Sequence, residues 1–363
     1  MARKPAEEVP SLSALEGVPL PQENPHLFGQ EHAEEQILTA YRGNRLPHGL
    51  LLSGPVGVGK ATLAFRLAKF LLAEPDPSAN SVQKAVSLGV APDHPIQRRV
   101  GEGAHPNVLH LQRPWDEKRK TFRTVISVET IRRIVPFVGT TAGEGLWRIV
   151  IVDGAEEMNR SAANALLKAL EEPPVRTIFV LVTARPGQLL PTIRSRCRSF
   201  HFGLLSPEAI AHVFEALDVP QPPEKDLQTI LSLASGSARR AIELARGDGL
   251  SLYRAINRAF ASDDHAVLSA VANQAAAARG AAWAEFFDLV GGYLDRRIRQ
   301  LPEPEKGVSP PELPLARWAE LWEKIHRRSA EVETFNLDRR QFVLNVFEAV
   351  ADAVRHPHRP IFM

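Results

Sequence analysis

The chain has 363 residues, 44% of them apolar and 24% charged, which suits a soluble protein of two or three domains with real cores. A net charge of +2 demands no nucleic-acid partner, so any such contact must come from a local patch. The single cysteine, Cys197, excludes an internal disulfide and any multi-cysteine zinc site, and no apolar run approaches the roughly 18 residues that span a bilayer.

Residues 1–25 hold several prolines and little periodicity, and they read as a loose, flexible arm. MARKPAEEVPSLSALEG lacks the apolar core of a secretion signal, and with the lone cysteine this gives the cytoplasm as the expected compartment. From Leu27 to about Phe202, short apolar runs alternate with helical segments. Strands are expected at HGLLLS (48–53), NVLHL (107–111), WRIVIVD (147–153), TIFVLVT (177–183) and RSFHF (198–202). That alternation predicts an α/β domain, a parallel sheet covered by helices. The runs are continuously apolar, as they must be when both sheet faces are buried. ANALLKALEE (163–172) has helical spacing and stops at Pro173-Pro174, which cannot continue a helix.

Residues 74–105, rich in Pro, Gly and polar side chains, read as an insertion after the first helix. Residues 206–248 then form a small helical unit with SPEAIAHVFEAL and LQTILSLASGSARRAIELA. From Leu250 only helical patterns remain, broken by a loop at PEPEKGVSPPELP (302–314). The expected division is an α/β domain over 26–203, a helical lid over 204–249 and an all-helical C-terminal domain over 250–363.

The chemistry starts at GPVGVGKAT (54–62), between an expected strand and an expected helix. Gly54, Gly57, Gly59 and Lys60 fit a phosphate-gripping P-loop, in which glycines let successive N–H groups turn inward on phosphate oxygens. The helix behind it adds its positive end, and Lys60 a point charge. This placement favours a P-loop over an ordinary glycine-rich turn. The residue that should carry a hydroxyl for magnesium is Ala61, with Thr62 one step late.

IVIVDGAEE (149–157) ends a strand in Asp153, placed either to hold magnesium through water or to cap the next helix. Where hydrolytic P-loop proteins put a water-polarising Glu, this chain has Gly154, and the nearest acids are Glu156 and Glu157. Thr62 could replace the hydroxyl and Glu156 the acid, but hydrolysis needs both replacements together. The residues therefore predict weak ATP and magnesium binding without efficient turnover. Thr183 ends a strand where a polar side chain could sense a terminal phosphate. Ser195-Arg196-Cys197 opens the last strand, with Arg196 readable as a solvated loop arginine and Cys197 as a small buried residue.

P-loop, strand–Asp, ANALLKALEEPP, strand–Thr183, LLPTIRSRC and a helical unit ending GSARRAIEL resemble, in that order, the clamp-loader branch of the AAA+ ATPases. ISVETIRRIVPF (126–137) and NLDRRQFVLNVF (336–347) are similar to one subunit of the bacterial DNA polymerase III clamp loader. The resemblance covers about residues 25–363 and is strongest over 45–202. It implies an AAA+ module, a lid, and a collar domain that builds a ring with other subunits.

In that family Ser195, Arg196 and Cys197 match the motif that offers an arginine finger to a neighbour's ATP, a role suited to a group that stays charged and spreads its donors. Arg239 matches a lid arginine that reaches nucleotide; otherwise it is a helix-surface charge. Relatives with a four-cysteine zinc module carry it in the insertion, where this chain has no cysteine. His94, His105 and His110 show no ligand spacing, so no zinc is expected. The implied partners are the gamma/tau and delta subunits, the sliding clamp, and primer-template DNA inside the ring. Basic residues in RPWDEKRKTFR (113–123) and at Arg132-Arg133 are a solvated face or a source of phosphate contacts.

The expected function is that of a stator subunit, not a competent ATPase alone, within an assembly that has DNA-directed DNA polymerase activity. The alternative is a motor subunit of a related AAA+ complex that hydrolyses ATP. A small-molecule P-loop kinase would need the missing hydroxyl and leaves SRC and the helical C-terminus unexplained.

Overall fold

The apolar runs form one parallel sheet of β1 Gly49–Ser53, β2 Val108–Leu111, β3 Arg148–Asp153, β4 Thr177–Thr183 and β5 Arg198–His201, in the order β2-β3-β4-β1-β5. The computed structural model describes residues 11–139, 146–260, 265–277, 281–299, 313–335 and 337–361. β1 and β4 are buried along their whole length, and β3 along its middle, as continuous apolar runs require. β5 forms an edge and buries only Phe200. The register sets Ser53 beside Thr183 and Asp153 beside Val182, so three polar residues line up at the carboxyl ends of the central strands. β1 lies between β4 and β5 while the chain next runs to β2 at the far edge. That reversal of direction makes the carboxyl end of β1 the natural crevice of such a sheet.

Two compact units emerge, one of residues 1–219 with 236–240 and the other of 220–235 with 241–363. In the first, α1 (Glu31–Arg42), α2 (Lys60–Ala73) and α3 (Arg160–Glu171) accompany the sheet. α3 begins where Asn159 accepts Ala162 N–H at 2.8 Å, and it buries Ala162, Ala163, Leu166 and Leu170 on one face. It ends at Glu171, two residues ahead of Pro173.

The insertion holds two short helices, Asn80–Lys84 and Pro95–Gly101, that bury Val82, Ile96 and Val100. His94 and His105 there each accept a backbone N–H, from Ile96 and Asn107. A hairpin of Trp115–Asp116 and Thr121–Phe122 follows β2, held by an edge-to-face contact of Trp115 and Phe122. Val128–Arg132, Ile134–Gly139, Pro191–Arg194 and α4 (Pro207–Ala216) are further helices of this unit.

The second unit contains α5 (Glu224–Ala234), most of α6 (Ala238–Arg246), and α7 (Gly249–Phe260), α8 (His265–Ala277), α9 (Ala281–Ile298), α10 (Leu315–Phe335) and α11 (Arg339–Arg355). Aromatic rings form much of its core. Phe260 stacks on Tyr293 at 4.4 Å and meets Phe347 edge-on at 5.0 Å. Arg254 of α7 ties to Asp226 of α5 at 2.7 Å. Most of the expected loop at 302–314 lies outside the described residues, as do residues 1–10 of the arm.

Candidate functional site

The loop after β1 takes its shape from glycine. Gly57 has φ +78°, and a Cβ there would stand 2.3 Å from Ser237 Oγ and 2.6 Å from Arg239 Cβ, so conformation and space both exclude a side chain. Gly54 and Gly59 also have positive φ. Lys60 opens α2 and curls back on the loop, donating to Gly54 O at 2.8 Å and to Pro55 O. Burial pulls its pKa down to about 8, against the opposing pull of Asp153 and Glu156. Ala61 follows with no hydroxyl. Thr62 is a further step of about 100° around the helix, so its hydroxyl leaves from a different face.

Asp153 stands at the end of β3, with Oδ2 3.9 Å from Nε2 of His110 on β2. It caps no helix: the 3-10 turn Ala155–Glu157 starts at Gly154 with no side-chain cap, and Asn159 caps α3. The capping alternative for Asp153 is thereby corrected, because Gly154 at φ +75° redirects the chain between them.

Gly154 has its own reason. A Cβ there would lie 2.7 Å from Glu157 Oε2, so no acid fits at 154 while Glu157 holds this position. Glu157 faces Arg113 at 2.9 Å, and burial raises its carboxyl pKa while Arg113 works to lower it. Glu156 accepts Ala184 N–H at 2.9 Å through Oε1, and its buried Oε2 has no hydrogen-bond partner among the described residues. Thr183 is 1% exposed, and its hydroxyl accepts Arg185 N–H at 3.1 Å.

The structure brings Arg239 to the glycine loop. Its N–H donates to Gly57 O at 3.3 Å, and its Nη1 donates to Ser13 O at 3.1 Å in the described part of the arm. Sequence reasoning missed Gln30, which is 4% exposed and donates to Val58 O at 3.2 Å and Gly203 O at 2.9 Å. It straps the loop to the segment that follows β5. The signal was faint: a lone polar residue just ahead of α1.

Ser195, Arg196 and Cys197 lie at the other end of the sheet. Arg198 pairs with Leu50, and a Cβ on Gly49 would stand 3.0 Å from both Arg196 O and Cys197 Sγ. The length of β1 separates them from the glycine loop, roughly 15 Å at the ordinary rise of a strand. Arg196 is no loose loop arginine. Its Nη2 lies 2.8 Å from Glu171 Oε1, and its Nη1 donates to Thr192 O at 3.1 Å, as does Ser195 Oγ. Cys197 is buried, and burial pushes its thiol pKa up to about 11.

Among the described residues, no group of three or more His, Cys, Asp or Glu side chains could hold a metal ion, and no helix is long and apolar enough to cross a membrane.

Residues 29–206 match the family model described as DNA polymerase III, delta subunit. The chain is 35% identical over 224 residues to the DNA polymerase III subunit delta' of Pseudomonas aeruginosa, covering 61% of this chain and 63% of that protein. It is 30% identical over 250 residues to subunit delta' of Escherichia coli, covering 68% and 70%. Against subunit tau of Escherichia coli it is 31% identical over 299 residues, 76% of this chain but 44% of tau. The chain thus spans less than two thirds of the Pseudomonas protein and less than half of tau. A gamma subunit-related protein of Thermotoga maritima aligns with a TM-score of 0.46 at 19% identity, covering 88% of this chain and 100% of that one.

Proposed function

The chain belongs to the delta' family of DNA polymerase III clamp-loader subunits, and from that premise we propose that it is a stator, offering Arg196 to a neighbour's ATP rather than burning its own. One observation carries the proposal. Arg196 stands at the amino end of the sheet, a full strand length from the glycine loop of the same chain, so a nucleotide it serves must sit on another subunit. Ser195 and Cys197 hold its turn in place.

The chain's own loop suits a phosphate. Lys60 and the loop N–H groups at Gly57 and Gly59 would hold the anion, Arg239 would approach it, and Asp153 alone would face a magnesium ion. With Ala61 and Gly154 at the positions that handle magnesium and water, this supports weak ATP binding and negligible turnover. The partners that fit are the gamma/tau and delta subunits, the sliding clamp, and primer-template DNA in the assembled ring. The exposed tip Lys118-Arg119-Lys120 of the hairpin would supply modest phosphate contacts. The lid at 204–249 and the collar at 250–363 belong to the same proposal.

Arg196→Ala should leave folding and ring assembly intact while DNA- and clamp-stimulated turnover of the reconstituted complex falls. Loss of an arginine finger costs roughly a thousandfold or more where it governs the chemical step. In a ring the fall should be smaller, since other sites keep their own fingers. Arg196→Lys should recover little, because a point charge lacks the planar fork. Unchanged turnover in the Ala variant would leave this subunit a scaffold only.

The buried Oε2 of Glu156, without a hydrogen-bond partner among the described residues, favours the second reading, a motor subunit. Robust turnover by the isolated chain, abolished by Lys60→Ala, would decide for it.

A further inference from the structure

Arg196 is tied down at every level. Its N–H donates to Ile193 O at 3.1 Å, and its carbonyl packs against Gly49 at the start of β1. Its guanidinium meets two oxygens from different elements: Thr192 O from its own turn at 3.1 Å, and Glu171 Oε1 from the end of α3 at 2.8 Å. A planar group held at two of its nitrogens has a set orientation. Glu171 is equally constrained, as the last residue of α3 ahead of Pro173-Pro174. Two separate sequence words, ALEEPP and SRC, thus meet in one ion pair.

Both side chains remain partly open to water, 37% for Arg196 and 44% for Glu171. Exposed pairs of this kind add little to folding stability. What the pair supplies is order, since a free arginine side chain spreads over many rotamers.

We propose that Glu171 is the positioning residue for Arg196: it sets the guanidinium plane and leaves the remaining N–H groups for the terminal phosphate of a nucleoside triphosphate bound on a neighbouring subunit. The proposal rests on the reading of Arg196 as a finger in trans, and it adds the group that aims it.

The test uses the full ring, reconstituted with each variant and assayed with clamp and primed DNA. Glu171→Ala should lower kcat, by no more than the roughly hundredfold that a group misplaced by about 1 Å can cost, and leave KM unchanged because the neighbour binds its own nucleotide. Glu171→Gln keeps an acceptor oxygen in place and should restore most of the rate. In an Arg196→Ala background, Glu171→Ala should cost nothing further. Unfolding midpoints and ring sizing of each variant should match the parent.

An unchanged rate with Arg196→Ala overturns the finger reading itself. A loss with Arg196→Ala but none, or a gain, with Glu171→Ala overturns the positioning role and leaves the finger standing. An additive loss in the double variant, or a change in KM alone, overturns the positioning role as well.

Discussion

Lys60 and Lys69 each lie almost wholly inside the protein, at 7% and 3% exposure, and burial lowers each pKa from 10.5 to about 8. Repulsion from Arg66 adds to the effect at Lys69. Below pH 8 both folded and unfolded chains carry these protons, and the folded state bears the full cost of two buried cations. Between pH 8 and 10.5 the folded chain has released them while the unfolded chain still holds them, so stability rises with pH across that window. Each should contribute on the order of 1–3 kcal/mol. Denaturant midpoints measured from pH 7 to 9 should therefore climb, below the range where the raised pKa values of Cys197 and Tyr41 act in the opposite direction, and Lys60→Met should remove part of the slope. A midpoint that falls through this window would show that both ammonium groups are better solvated than their surroundings imply. Sequence pattern marked Lys60 by its motif, but Lys69 looks like any helical lysine, since only packing reveals that its end is enclosed. Glu171 and Gln30 escaped for the same reason. Each acts through a partner at least 20 residues away in the chain, Arg196 for one and Val58 and Gly203 for the other.

Whole elements were more legible than their partners. All five strands of the sheet fall inside runs marked from sequence, and for β1, β3 and β4 the reason is that a strand buried on both faces must be continuously apolar. The helices of the insertion were not, since Asn80–Lys84 and Pro95–Gly101 are too short to show a periodic face. The hairpin 115–122 hid within a charged stretch, with only Trp115 and Phe122 to mark it. The glycine loop was legible as a motif, and the segment covering it only through the resemblance that brings Arg239 to nucleotide. Gly57→Ala tests that cover. The new methyl would meet Ser237 and Arg239 and would sit at a backbone angle that disfavours side chains, at a cost of roughly 1–3 kcal/mol. A drop of that size in the unfolding free energy, with faster hydrogen exchange at Arg239 N–H, is the expected result. An unchanged midpoint would mean that 237–239 moves off the loop freely.

At the scale of the molecule, the chain passes between its two units after residues 219, 235 and 240. The sequence breaks its helical pattern at Pro220 to Pro223 and at Ser235-Gly236-Ser237, but no pattern in it says that the chain changes units there. A fragment ending at 249 keeps 236–240 but loses Arg254, the partner of Asp226 on α5. That fragment should be soluble and should no longer co-elute with clamp-loader partners, while trypsin cuts after Lys225 faster than in the full chain. Co-elution at unchanged affinity would remove the assembly role from residues 250–363.

The lone thiol also makes this chain a convenient starting material for spectroscopy. Cys197 is 9% exposed with its pKa pushed up to about 11, so near neutral pH it holds almost no thiolate and presents little surface to a maleimide. A cysteine introduced on an exposed site, such as Arg119→Cys at the hairpin tip, would then react alone. Dyes or spin labels can be attached one at a time without first deleting Cys197, a deletion that would disturb the packing beside Arg196.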